Sequence, residues 1–147
     1  MLWHIYLHKG TVFVPTVAKT EAGFFFDVEP VAVIERFDHV RIADAIKWVV
    51  IKGNPVIETP TRLTFPKPAV LNYANVKSWA AFEKKALCWI VTKKEDVLQV
   101  CPQRKKPTGG WDDDTERKET FTGTTAIDEI ANIVAGEISA TQSGLPG

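Results

Sequence analysis

Apolar and polar residues alternate through Leu2–His8. Trp3, Ile5 and Leu7 share one face of an extended chain, and His4, Tyr6 and His8 share the other. Thr11–Ala18 and Gly23–Glu35 also read as extended. A turn near Lys19–Gly23 separates them, and beyond it Phe24, Phe26 and Val28 point one way and Phe25, Asp27 and Glu29 the other. The period then changes. Ile42, Ile46, Val49 and Val50 recur at helical spacing within Asp38–Lys52, with Asp38 placed to cap the first turn and Gly53 and Pro55 to stop the helix.

The same order returns later. Ala86–Val91, Val97–Cys101 and Glu116–Phe121 read as strands, and Thr125–Ser139 reads as a helix with Ile127, Ile130, Ala131, Val134 and Ile138 on one stripe. Thr125 is the expected cap of that helix, and Asp128 and Glu129 suit its positive end. A shorter helix is expected from about Asn75 to Lys85, with Trp79, Phe82 and Ala86 on one side.

A hairpin turn centred between Lys94 and Glu95 sets Trp89 opposite Val100, Val91 opposite Leu98, and Cys88 opposite Cys101. Leu87, Trp89, Val91, Leu98 and Val100 then share the apolar face. Trp48, Trp79, Trp89 and Trp3 fit the buried faces of their elements.

These elements predict an α+β fold: a mainly antiparallel sheet of about six strands, with two or three helices packed against it and the first and last helices on one face. The chain reads as one domain over residues 1–140. Its strand-strand-strand-helix halves, 1–53 and 76–140, are joined by a proline-rich wrap, 54–75, in which Val56, Ile57, Leu63 and Phe65 are apolar enough to pack. Residues 141–147 are expected to fray as a disordered tail. Whether the halves share one sheet is left open by the pattern.

Composition adds little direction. The chain has 147 residues, room for one sizeable core, and its 18 Lys and Arg balance its 18 Asp and Glu. No general attraction to nucleic acid or to an anionic membrane follows. The N-terminus lacks a basic stretch followed by an unbroken apolar run, and no apolar run approaches the roughly 20 residues of a membrane span, so a cytoplasmic protein is expected.

Candidate chemistry is sparse. His4 and His8 lie roughly 13 Å apart along a strand, too far for one zinc ion. With Tyr6 on the same face and Asp27 or Glu29, they could serve a small hydrolase or nuclease if those strands pair nearby. A concave pocket joining the groups, with a displaced histidine pKa, is the feature that would favour this. Otherwise both histidines are half-exposed strand residues, and His39 is a solvated first-turn residue. Cys88 and Cys101 match no metal or redox motif and have no evident catalytic partner. Neither phosphate-binding glycine pattern is present, and no cofactor or metal is implied.

The segment Arg104–Asp114 stands apart, with three cations, the Gly109-Gly110 pair, Trp111 and the carboxylates Asp112, Asp113 and Asp114 in a row. It reads as a loop. The acidic run lacks the ligand spacing of a calcium loop. An exposed tryptophan beside carboxylates matches the composition of a protein-docking surface, and Trp111, Asp112, Asp113, Asp114 and Glu116 are the candidate partner-binding residues. The other reading of Trp111 is that it folds back to close the end of a strand.

The region Lys77–Ile138 resembles the small immunity proteins of bacterial contact-dependent growth inhibition and related polymorphic toxin systems. The resemblance is carried by Ser78-Trp79-Ala80-Ala81-Phe82-Glu83-Lys84, by Trp89-Ile90-Val91, by Trp111 with its acidic run, and by Thr125–Ile138. It implies a stand-alone cytoplasmic inhibitor that neutralises one cognate toxin domain by binding it, with no catalysis, no direct contact to nucleic acid and no membrane. It carries no individual functional residue and leaves the oligomeric state open. An enzyme, and a scaffold or oligomerisation subunit, are the competing classes.

Overall fold

The computed structural model describes residues 1–141; the expected disordered tail, 141–147, lies outside the described residues except for Thr141. The strands are β1 (Leu2–His8), β2 (Thr11–Thr20), β3 (Phe25–Glu35), β4 (Val56–Ile57), β5 (Ala86–Lys94), β6 (Val97–Lys105), β7 (Trp111–Asp113) and β8 (Glu119–Thr122). The helices are α1 (His39–Lys52), α2 (Trp79–Lys85) and α3 (Ala126–Ala140). Short 3-10 turns cover Ala69–Asn72 and Thr115–Arg117.

The fold is the expected α+β arrangement. All eight strands join one sheet, with a main path β3-β2-β1-β5-β6-β7. Its ladders are antiparallel except for the short parallel pairing of β4 with β2, and β8 pairs with β6 beyond β7. The two halves share this sheet through β1 and β5, which pair along the whole of β1 from Leu2↔Thr92 to His8↔Ala86.

That register sorts side chains to two faces. Trp3, Ile5 and Leu7, opposite Val91, Trp89 and Leu87, face a large core closed by α1 and α3. As expected, Ile42, Ile46, Val49 and Val50 of α1 and Ile130, Ala131, Val134 and Ile138 of α3 are buried there. His4, Tyr6 and His8, opposite Ile90, Cys88 and Ala86, face a smaller cluster. There, among the described residues, Tyr6, Phe13, Val70, Phe82 and Cys88 are covered by α2, the Ala69–Asn72 turn, Ala74 and Val76 between them, and Trp111.

Caps define the helix starts. Asp38 accepts from Arg41 N, as expected, and Gly53 ends α1 at a φ of 81°. Ser78 caps α2 by accepting from Ala81 N, so that helix begins later than the pattern suggested. Thr125 makes no side-chain cap; its hydroxyl donates to Glu129 instead.

Several expectations are corrected. In the β5–β6 hairpin Trp89 pairs with Pro102, Val91 with Val100 and Ile90 with Cys101, two residues out of the expected register. Glu95 and Asp96 form the turn, with Glu95 in the left-handed region at a φ of 58°. A two-residue slip keeps every side chain on its face, so the apolar assignment survives while the direct pairing of Cys88 with Cys101 does not. Both cysteines are free and buried. Trp48 is 53% exposed, because the buried stripe of α1 occupies the other side; its ring lies under the Lys52 ammonium. The proline-rich wrap contributes β4, but Val56 and Leu63 are exposed rather than packed, while Phe65, largely exposed, meets the Phe26 ring edge-on at 4.8 Å.

Candidate functional site

The smaller face of the sheet holds a pocket of about 300 Å³, at the lower end of ligand-pocket sizes. Its floor is His4 and Tyr6 of β1 with Cys88 and Ile90 of β5. Asp27 and Phe26 of β3 close one side, and Trp79 and Glu83 of α2 another. Trp111 of β7 and Gln103 of β6 complete the wall.

One carboxylate organises the polar part. Asp27 is buried, and Tyr6 Oη donates to its Oδ2 at 2.6 Å, while His4 Nδ1 lies 2.7 Å from its Oδ1. Burial, and next the charge of Asp27, push the Tyr6 phenol well above its ordinary value, so it stays a proton donor. Burial, with Asp27 again second, pushes the Cys88 thiol up as well; it carries no thiolate near neutrality.

Aromatic rings make the rest. Tyr6 meets Trp79 edge-on at 5.8 Å and Trp111 at 6.1 Å, and the two indoles stand edge-to-face at 6.0 Å. Phe82, fully buried, stacks on Trp79 and fixes α2 to the sheet. Among the described residues Trp111 Nε1 is buried without a hydrogen-bond partner, so the indole itself is held by packing.

Of the candidate acid–base residues, the structure brings together His4, Tyr6 and Asp27 and leaves out two. His8 is buried rather than half-exposed; it stacks on Phe82 at 4.8 Å, and its Nε2 has no partner. Burial, then Lys9 and Lys105, hold its pKa below the ordinary value. Glu29 falls where the β2–β3 register shifts from Pro15↔Val31 to Thr16↔Val28. Out of the ladder, it accepts from Asn72 Nδ2 and Tyr73 Oη instead. His39 is exposed at the start of α1, as expected. Among the described residues no group of three His, Cys, Asp or Glu could hold a metal ion.

The segment Arg104–Asp114 is not a loop but a hairpin. Gln103, Arg104 and Lys105 pair with Asp113, Asp112 and Trp111. Trp111 is half-buried in the pocket wall, which is the fold-back reading rather than the exposed anchor. The three aspartates are dispersed. Asp112 is exposed opposite Arg104, Asp113 accepts from Gln103 Nε2 at 2.9 Å, and half-buried Asp114 lies 3.9 Å from Arg117. Glu116 is exposed in the following turn. Lys105 donates to the Lys84 carbonyl, tying the hairpin to α2.

Glu83, Gln103 and Cys88 were not read as site residues. The opposition of Tyr6 and Cys88 depends on the β1–β5 ladder, which joins segments far apart in the chain.

No family model matches the chain, and no curated protein matches it. Solved structures do share the fold. A protein of unknown function from Neisseria meningitidis aligns with a TM-score of 0.64 at 10% identity, covering 91% of this chain and 92% of that one. A chain of a CdiA-CT/CdiI toxin and immunity complex from Yersinia pseudotuberculosis aligns with a TM-score of 0.62 at 10% identity, covering 95% and 94%. Among the described residues no helix is long and apolar enough to cross a membrane.

Proposed function

We propose that this chain is a non-catalytic, cytoplasmic immunity protein that neutralises a cognate toxin domain by direct binding. The observation that carries this reading is the near full-length likeness of its fold to a chain of a toxin and immunity complex. The resemblance of Lys77–Ile138 to immunity proteins, which is one of architecture more than of signature residues, points the same way. The proposed contact surface is the β6–β7 hairpin and the turn after it: Asp112, Asp113 and Glu116 outermost, Asp114 beside them, and Trp111 behind as part of the pocket wall. Exposed carboxylates there suit a basic partner such as a nuclease, whose substrate-binding cleft must attract phosphates.

The test is a binding assay against the C-terminal domain of the large secreted protein expected to be encoded next to this chain. Tight association that protects cells from that domain supports the reading. Changing Asp112, Asp113 and Glu116 to lysine should weaken association and flatten its salt dependence. Unchanged binding would move the contact to another face; no association with any neighbouring toxin domain would remove the reading.

One observation favours a second reading, a small hydrolase or nuclease. The pocket joins His4 to Asp27, an acid–base pair beside a phenol. His8 and Glu29 have no part in it. Hydrolysis of a small ester or of RNA, lost in His4→Ala and Asp27→Asn, would establish this alternative.

A further inference from the structure

The pocket has a distinct charge character. Two carboxylates line it, Asp27 and Glu83, and no lysine or arginine does. Asp27 already accepts from Tyr6 and His4, but each carboxylate oxygen can accept more than one bond. Glu83 has no salt bridge within 4.0 Å and no side-chain hydrogen bond among the described residues. Asp27 lies against Tyr6, and Glu83 lies between this pocket and a neighbouring one lined by Lys84, Lys105 and Lys106; the rings of Tyr6, Trp79 and Trp111 attract a cation. Acids at the back of an aromatic enclosure match a planar, delocalised cation better than an ammonium. A guanidinium stacks on indole and bonds carboxylates through a fork of N–H donors, and it is shed from water more readily.

We infer that this pocket receives the guanidinium group of an arginine side chain presented by a basic protein partner, packed against the Trp79 and Trp111 rings and bonded to Glu83 and Asp27. The partner's identity as a toxin rests on the function proposed above; the pocket's preference for guanidinium does not. An arginine seated here would lie just behind the β6–β7 hairpin, so the exposed Asp112 and Asp113 and the pocket would engage one basic surface together.

The test uses the intact protein and a defined probe, N-acetyl-L-arginine methylamide, titrated while the indole N–H signals of Trp79 and Trp111 are followed by NMR. The expected result is saturable shifts with a millimolar Kd. The neutral citrulline analogue should bind roughly tenfold more weakly, because it lacks the charge-assisted bonds. Glu83→Gln, on partly exposed α2, should weaken the arginine probe about fivefold with an unchanged circular dichroism spectrum. Asp27→Asn is a second variant with the same expectation. Shifts that do not saturate, or an equal response to the citrulline analogue, overturn the inference. Loss of the probe by neither variant overturns it too. A protein that takes the arginine probe while no toxin domain binds it upholds the pocket and sinks the immunity reading. A toxin domain bound equally well by parent and Glu83→Gln protein upholds the immunity reading and overturns the pocket's part in it.

Discussion

The sharpest stability test lies at Asp27. Its carboxylate is 8% exposed as a residue and ends two short bonds, 2.6 Å from Tyr6 Oη and 2.7 Å from His4 Nδ1. Hydrogen bonds to a charged group each contribute about 1.5–3 kcal/mol. The His4 side chain is 21% exposed, so water replaces part of its bond when Asp27 is removed. Tyr6 has no such escape, being 3% exposed, and its orphaned hydroxyl adds a desolvation cost of about 1–3 kcal/mol. Asp27→Ala should therefore lower stability by about 3 kcal/mol, or Tm by roughly 6–12 °C for a chain of this size. Asp27→Asn should cost much less, about 1 kcal/mol. Its carbonyl still accepts from Tyr6, and its amide donates to Nδ1 once His4 takes the other tautomer. Tyr6→Phe removes the orphan, so in that background Asp27→Ala should cost about 1.5 kcal/mol less than alone. Urea unfolding followed by circular dichroism and tryptophan fluorescence measures all four variants. Additivity of the two changes, or equal losses for Ala and Asn, would refute the claim that this carboxylate anchors the pocket floor.

Three further outcomes are expected. His8 is held neutral by burial and by Lys9 and Lys105, so its folded pKa lies below its unfolded value of about 6.5; the stability it confers is fully present above that pH and falls as pH drops toward the folded pKa, because the unfolded chain binds the proton first. Stability of His8→Phe should lose less than the parent between pH 7 and 5, and parallel pH profiles would count against it. Cys88 and Cys101 are buried and their thiols are pushed up, chiefly by burial, so iodoacetamide should leave both unmodified in the native protein and label both after unfolding; native labelling of Cys88 would contradict its placement. Phe82 is fully buried and touches Tyr6, His8, Phe13 and Trp79, so Phe82→Ala should cost about 3–5 kcal/mol and release α2 to fast amide exchange, whereas an unaltered exchange pattern would mean that something else docks the helix.

Elements whose periodicity is set by burial were legible. The stripe Ile42, Ile46, Val49, Val50 and the alternation of Trp3, Ile5 and Leu7 report which side meets the core, and both hold. What failed was what depends on distant chain. Arg104–Asp114 lacks an apolar face and so reads as a loop, yet pairing with β6 makes strands of it, since a strand's stability comes from its neighbours more than its own residues. The same holds for the site. His4, Tyr6 and Asp27 could be named individually, but β2 lies between β1 and β3, and a bond reaching across it is not a matter of spacing. Trp111 was ambiguous because nothing local fixes its side; Trp79 and Tyr6, far earlier in the chain, do.

The position of the pocket follows from how the halves are joined. Each half ends in a long helix, and both helices lie on the same face, sealing the core over β1 and β5. Among the described residues the opposite face has α2, the Ala69–Asn72 turn and the segment between them with Ala74 and Val76. A helix of seven residues is about 10 Å long, enough to span roughly two strands at their usual spacing. The sheet is far wider than that. The uncovered ground beside α2 lies over the β1–β5 joint, between Asp27 of β3, beyond β2, on one side and the β6–β7 hairpin on the other. The pocket therefore draws His4, Tyr6 and Asp27 from one half and Trp79, Glu83, Cys88, Gln103 and Trp111 from the other, and exists only once the two are paired. A concavity built at a joint, with a hairpin as one wall, is suited to gripping a protruding side chain. Lengthening α2 by a turn of alanines at its N-terminus, so that it covers more of this face, should then fill the pocket and abolish the arginine response while leaving the α1–α3 core and its unfolding transition intact; an undiminished response would place the guanidinium elsewhere.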